Sequence, residues 1–181
     1  MNIEETMLPG VLVLTPKNYK DDRGTFTETF HLRRMAEAGL PTAWVQDNFS
    51  TSRKNVLRGI HYQIEQPQGK LVRVTHGVVL DVAVDLRRSS ATFGKHVSVE
   101  ISGENGKMVW IPEGFGHAFL ILSDVAGFAY KVTDYYSAAG ERTILWNDPE
   151  LGIEWPIAAS DAIVSEKDVK GKLLRDAEVF A

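Results

Sequence analysis

Asn55-Val56-Leu57-Arg58-Gly59-Ile60-His61-Tyr62-Gln63, followed after a short break by Gln68-Gly69-Lys70-Leu71-Val72-Arg73-Val74, is the stretch that decides how this chain is read. Each half alternates apolar residues in the manner of a half-buried strand. Glu65-Gln66-Pro67-Gln68-Gly69 between them reads as a turn-bearing connection. The expectation is a hairpin with His61 and Lys70 close in space near its loop end. Arg58 lies one strand repeat before Ile60. An imidazole takes up a proton and a neighbouring ammonium stabilises negative charge on an oxygen, which suits proton abstraction beside a carbonyl. A packed hairpin with a satisfied histidine and a solvated lysine fits these residues equally well.

The same rhythm runs outward in both directions. Short β-like runs fall at 11–14, 24–30, 43–49, 56–63, 70–74, 78–86, 96–101, 107–111, 117–122 and 126–132. Turn material such as Asp21-Asp22-Arg23-Gly24 and Gly103-Glu104-Asn105-Gly106 separates them. Many short strands at this spacing predict an all-β sandwich or barrel. The clearest strand is Val78-Val79-Leu80-Asp81-Val82-Ala83-Val84-Asp85-Leu86. Asp81 and Asp85 share a face with Val79 and Ala83, while Leu80, Val82, Val84 and Leu86 face the other way. An aspartate among apolar residues is costly to bury without a partner, so Asp81 is expected to orient a group inside a cavity and Asp85 to face solvent. A helix is expected over 32–38, ended by Gly39 and Pro41. The polar segment 160–181 reads as a short helix or an ordered tail, with Ser165-Glu166-Lys167-Asp168 as a solvated cap or turn.

The chain has 181 residues, a size that fits a single domain. A net charge of −4 leaves no basic footprint for nucleic acid. The absence of cysteine excludes disulfides, thiolate metal sites and thiol nucleophiles. No apolar run approaches membrane-spanning length, and the first residues lack the pattern of a signal peptide, so a cytoplasmic protein is expected. Among His31, His61, His76, His96 and His117 no two lie within three residues, and the position two after His61 is Gln63. A catalytic metal is therefore not expected. There is no P-loop, dinucleotide fingerprint or G-x-S-x-G elbow. Tyr130-Lys131-Val132-Thr133-Asp134-Tyr135-Tyr136 reads either as an aromatic strand ending in a surface cluster or as a source of a phenolic acid in the cavity of His61.

Taken together the motifs resemble one family, the dTDP-4-dehydrorhamnose 3,5-epimerases of nucleotide-sugar biosynthesis. The resemblance runs from about Gly10 to Asp168 through Asp22-Arg23-Gly24-x-Phe26-x-Glu28, Val45-Gln46-Asp47-Asn48-x-Ser50 and Leu57-Arg58-Gly59-Ile60-His61-Tyr62-Gln63. It continues through Gly69-Lys70-Leu71-Val72, Asp81-Val82-Ala83-Val84-Asp85-Leu86-Arg87, Trp110-Ile111-Pro112-Glu113-Gly114-Phe115, Trp146-Asn147-Asp148-Pro149 and Ser165-x-x-Asp168. It implies a cupin-like jelly roll, one domain over 1–181, and a homodimer whose N-terminal strands add to the partner's sheet. It implies a dTDP-sugar substrate and neither cofactor nor metal. By resemblance His61 is the base, Asp168 its anchor, Lys70 the group at the sugar O4 and Tyr130 the opposite-face acid. Tyr136 matches the tyrosine that stacks on thymine. Further substrate contacts fall on Arg23, Glu28, Gln46, Asp47, Asn48, Arg58, His117, Glu141 and Lys167. One departure is Ala118 in Gly114-Phe115-Gly116-His117-Ala118-Phe119, where the family usually carries glycine. Three other readings stay open: epimerisation at a single carbon, a non-catalytic dTDP-sugar-binding cupin, and a metal-dependent cupin enzyme.

Overall fold

A computed structural model describes residues 1–181. In chain order the strands are β1 (Asn2–Glu5), β2 (Leu12–Thr15), β3 (Asn18–Asp21), β4 (Gly24–Thr27), β5 (Gln46–Arg53), β6 (Leu57–Gln63) and β7 (Lys70–His76). They continue as β8 (Val78–Asp85), β9 (His96–Ser102), β10 (Met108–Ile111), β11 (Phe115–Ile121), β12 (Val125–Val132) and β13 (Glu141–Thr143). Helix α1 (Leu32–Glu37) precedes β5, and α2 (Glu166–Val169) follows β13. A six-stranded sheet, β1-β2-β10-β7-β12-β5, faces a five-stranded sheet, β13-β6-β11-β8-β9, while β3 and β4 pair with each other alone. The two large sheets enclose a cupin-like jelly roll. Every pair of strands is antiparallel.

The hairpin expected of 55–74 does not form. β6 bonds to β11 and β13, whereas β7 bonds to β10 and β12 in the opposite sheet. The connection between them turns a corner because its polar groups are taken by the segment after β12. Gly69 N–H donates to Thr133 Oγ1 at 2.8 Å and the Gln68 amide to the Asp134 carbonyl at 2.8 Å. His61 and Lys70 therefore come from opposite sheets into the space between them.

β8 shows how both faces of a strand are used. Val79 and Ala83 join the inner core with Val72, Val74, Val109, Ile121 and Phe128. Val82, Val84 and Leu86 point outward and are fully buried nonetheless, under Leu151, Leu174 and Ala177 of the C-terminal segment. Those three side chains are worth roughly 5–9 kcal/mol of burial at about 1.5–3 kcal/mol each, which a bare face would forfeit. Asp85 is also buried, contrary to its expected exposure. Arg87 binds it at 2.8 Å, and Ser90 and Thr92 donate to it at 2.6 Å each, so the strand end folds back over its own carboxylate.

Helix α1 matches its expected place and ends before Gly39, whose φ of 72° suits glycine. Its Met35 packs with Leu14, Leu71, Met108 and Trp110 on the outer face of the six-stranded sheet. Ala118 lies in β11 without a positive φ. Its Cβ fills space left by Gly59, on which a Cβ would come within 2.6 Å of it.

Candidate active site

A bulge in β6 aims the site. His61 pairs with His117 and Arg58 with Phe119, so three steps along β6 match two along β11. Strict alternation would put Arg58 and His61 on opposite faces; the extra residue turns both inward. Gly59, at φ 118°, carries this kink, and a Cβ there would meet the His117 carbonyl at 2.5 Å. Arg58 donates to Ser52 Oγ at 3.0 Å, reaching across to β5. His61 turns its Nε2 to Asp168 Oδ1. A carboxylate only accepts, so Nε2 carries the hydrogen and Nδ1 keeps the free lone pair.

Asp168 is buried, not solvated as the turn-like sequence suggested. Ser165 caps α2 by accepting from the Asp168 N–H at 3.2 Å, which rolls the aspartate inward onto β6. Burial pushes the Asp168 carboxyl up, but the His61 hydrogen bond and charge, with Ser165 and the Gly59 amide, hold it below the usual carboxylate range.

Lys70, Val72 and Val74 alternate inward on β7, and Lys70 is buried. Burial lowers its ammonium to about 8 against the attraction of Asp81 and Glu141; Lys167 lowers it further. Tyr130 on β12 is pushed up by burial and by Glu141, with Arg58 opposing. Phe128 lies 6.0 Å from Tyr130 and 5.9 Å from His117, and stacks on Phe119 at 4.0 Å. Phe119 and Phe128 belong to the inner core, and Tyr130 packs against it. His117 gives Nε2–H to Asp81 Oδ2 at 2.7 Å, both side chains being buried. No three histidines or carboxylates in the chain are grouped as a metal-ligand set.

At the mouth, Glu141 on β13 pairs with Lys167 and accepts from the Tyr136 hydroxyl at 3.0 Å. Burial raises its carboxyl, while Lys167 and Tyr136 outweigh that and hold it low. Gln46 donates to Asn48 at 2.8 Å and accepts from the Tyr136 N–H at 3.4 Å. Gln46, Asn48, Ser50 and Ser52 share one face of β5, with Tyr130 opposite Asn48 and Phe128 opposite Ser50.

Three expected contacts lie elsewhere in this chain. Arg23 projects from the β3–β4 hairpin, 90% exposed and paired with Asp21 at 2.6 Å. Glu28 follows the same hairpin and pairs with Arg34 of α1. Asp47 alternates to the outer face of its sheet, where Lys131 binds it at 2.9 Å.

A family model described as dTDP-4-dehydrorhamnose 3,5-epimerase matches residues 5–176. The chain belongs to this family. It is 50% identical to the dTDP-4-dehydrorhamnose 3,5-epimerase of Pseudomonas aeruginosa, over 99% of either chain. A dTDP-6-deoxy-D-glucose-3,5-epimerase of Legionella pneumophila, solved with dTDP-4-keto-L-rhamnose, superposes with a TM-score of 0.94 at 49% identity, over 98% of this chain and 94% of that one. A dTDP-4-dehydrorhamnose 3-epimerase of Streptomyces niveus is 36% identical over 98% of this chain and 86% of its own. Within this epimerase-family chain, the sequence had singled out Asp81 as a buried orienter without placing it among the site residues. The Ser165 cap was visible in sequence, its inward consequence was not. Ser52 carries no local signal.

Proposed function

We propose that this chain inverts C3 and C5 of dTDP-4-dehydro-6-deoxy-D-glucose, giving dTDP-4-dehydro-L-rhamnose in dTDP-L-rhamnose biosynthesis. The observation that carries the reading is one cluster around Glu141: His61 with Asp168 behind it, Lys70 from the opposite sheet, and Tyr130. The C4 ketone acidifies the hydrogens on C3 and C5, because the carbanion left behind delocalises onto O4. His61 Nδ1 takes the proton from carbon, and Asp168 steadies the imidazolium that results. Lys70 donates a charge-assisted hydrogen bond to the enolate oxygen from its buried position. Tyr130, kept protonated by its raised pKa, returns a proton to the other face and so inverts the centre. Arg58, Lys167, Gln46 and Asn48 hold the diphosphate and sugar at the mouth, His117 contacts the sugar, and Tyr136, held by Glu141, stacks on the base.

Proton NMR of the product formed in deuterated water tests this. Deuterium at both C3 and C5 with the L-configured product supports double inversion, and label at C3 alone would make the chain a single-site epimerase. His61→Ala is expected to lower turnover by at least about 10²–10⁴, the worth of a positioned base. Wild-type exchange in that variant would sink the assignment.

A homodimer completes the reading. β1 is an exposed edge strand, and the β3–β4 hairpin presents Tyr19 and Phe26 to solvent at 53% and 69% exposure. Exchange of these N-terminal strands would carry Arg23 and Glu28 to the partner's cavity, where their substrate contacts belong. Mixing the separately inactive Arg23→Ala and His61→Ala chains is expected to restore part of the activity, since one site per mixed dimer is intact. No recovery in a mixture shown to have exchanged subunits would place Arg23 in its own chain's site.

A further inference from the structure

The mechanism leaves the buried carboxylate behind His117 without a task. Asp81 sits on the inward face of β8, 1% exposed, and its Oδ2 accepts from His117 Nε2–H at 2.7 Å. A carboxylate only accepts, so the His117 hydrogen lies on Nε2 and its Nδ1 is bare. His117 and His61 are cross-strand partners on β11 and β6, and each leans by Nε2 on its own buried aspartate. The two pairs differ in access: His61 is 28% exposed at its side chain and His117 only 8%. A neutral, fixed ring is the form that suits His117. Burial disfavours its charged form, and the charges of Lys70 and His61 add to that against the pull of Asp81.

The Lys70 ammonium is buried on the inward face of β7, with two carboxylates as its attracting charges. It is faced by Asp81 from β8, Glu141 from β13, Lys167 from α2 and His117 from β11; His61 of β6 faces His117 and Glu141, and Tyr130 of β12 faces Glu141. Among these, Asp81 exerts the larger attraction on it. Glu141 is already engaged by Lys167 and by Tyr136.

We propose that Asp81 is a positioning residue for the reaction: it fixes the His117 ring through Nε2 and stands as the counter-charge to Lys70, so that a bare ring nitrogen and a charged ammonium together meet the sugar's oxygens. This rests on the epimerase reading above. A second buried His–Asp pair is otherwise an expensive ornament in a wall that valine and phenylalanine already fill.

The test has a part that needs no substrate. Nitrogen NMR of histidine-labelled wild-type protein is expected to show His117 protonated at Nε2 and bare at Nδ1 from about pH 6 to 9. A proton on Nδ1 instead overturns the proposal, whether or not any variant folds. The second part is the pH profile of kcat for Asp81→Asn. With the counter-charge gone, the ammonium of Lys70 loses its proton at lower pH, so the basic limb moves down by about one unit, roughly a tenfold loss on that limb. The acidic limb stays, and KM changes less than kcat. A folded Asp81→Asn protein with the wild-type limb, whatever its melting temperature, shows a merely structural pair and ends the proposal. Failure of wild-type protein to exchange deuterium at C3 and C5 would remove the epimerase reading and leave the nitrogen result standing.

Discussion

A carboxylate buried as deeply as Asp168 is ordinarily driven toward its neutral form; here His61 reverses that, and the pair becomes a charged anchor behind a base. Asp168→Asn keeps the shape and removes the charge. It is expected to lower kcat by about 10²–10⁴ with KM nearly unchanged, measured by steady-state kinetics on folded protein. Lys70 sets a second signature. Its ammonium is the active form, and its pKa is lowered to about 8, so kcat falls as pH rises through that value. Lys70→Met is expected to leave a low kcat without this basic limb; a limb that persists near pH 8 would belong to another group. At this scale His61, Lys70 and Tyr130 were legible as chemistry-bearing side chains on strands. Asp168 was not. Its surrounding residues read as a solvated turn, and only the three-dimensional roll imposed by Ser165 carries it inward.

At the scale of elements, alternation in the sequence identified most of the strands but not their partners. Period two says which face a residue occupies and nothing about which strand lies beside it, so β6 and β7 looked like a hairpin while belonging to opposite sheets. The β6 bulge escaped for a related reason: Gly59 is a single glycine in an otherwise regular run. Gly59→Ala is expected to be severe because its Cβ meets backbone of β11 at 2.5–2.6 Å and its φ of 118° excludes an ordinary side chain. Losing the bulge would turn Arg58 and His61 to opposite faces. Activity is thus expected to vanish even in protein that still melts cooperatively. Ser165→Ala is milder. It removes a helix cap worth about 1 kcal/mol, and its kcat is expected to drop more than its stability, because the freed aspartate serves His61.

For the molecule as a whole, the all-β class and the two-faced β8 were readable from composition of the strands. β1, β3 and β13 were missed because they are polar and lie at exposed or edge positions, without the apolar beat that marks a strand. Acid stability follows from the buried carboxylates. Burial pushes Asp85 up, but Arg87, Ser90 and Thr92 hold it far below its ordinary value. A depressed folded pKa contributes stability that is fully present above the unfolded value near 4 and is lost as pH falls through the folded one. The gap in melting temperature between wild type and Asp85→Asn is therefore expected to be constant from about pH 5 upward and to shrink as pH falls below about 4. A melt curve of Asp85→Asn parallel to wild type at every pH would contradict this.

The anchoring of His61 by Asp168 also has a place in time. The two residues are separated by 107 positions. At about 5–20 residues per second, a ribosome that has just added the histidine needs roughly 5–20 s to reach the aspartate. Through that interval β6 and most of its sheet partners can already have met, while the imidazole has nothing behind it. A nascent barrel is thus chemically silent until the one-turn helix after Ser165 has emerged and docked.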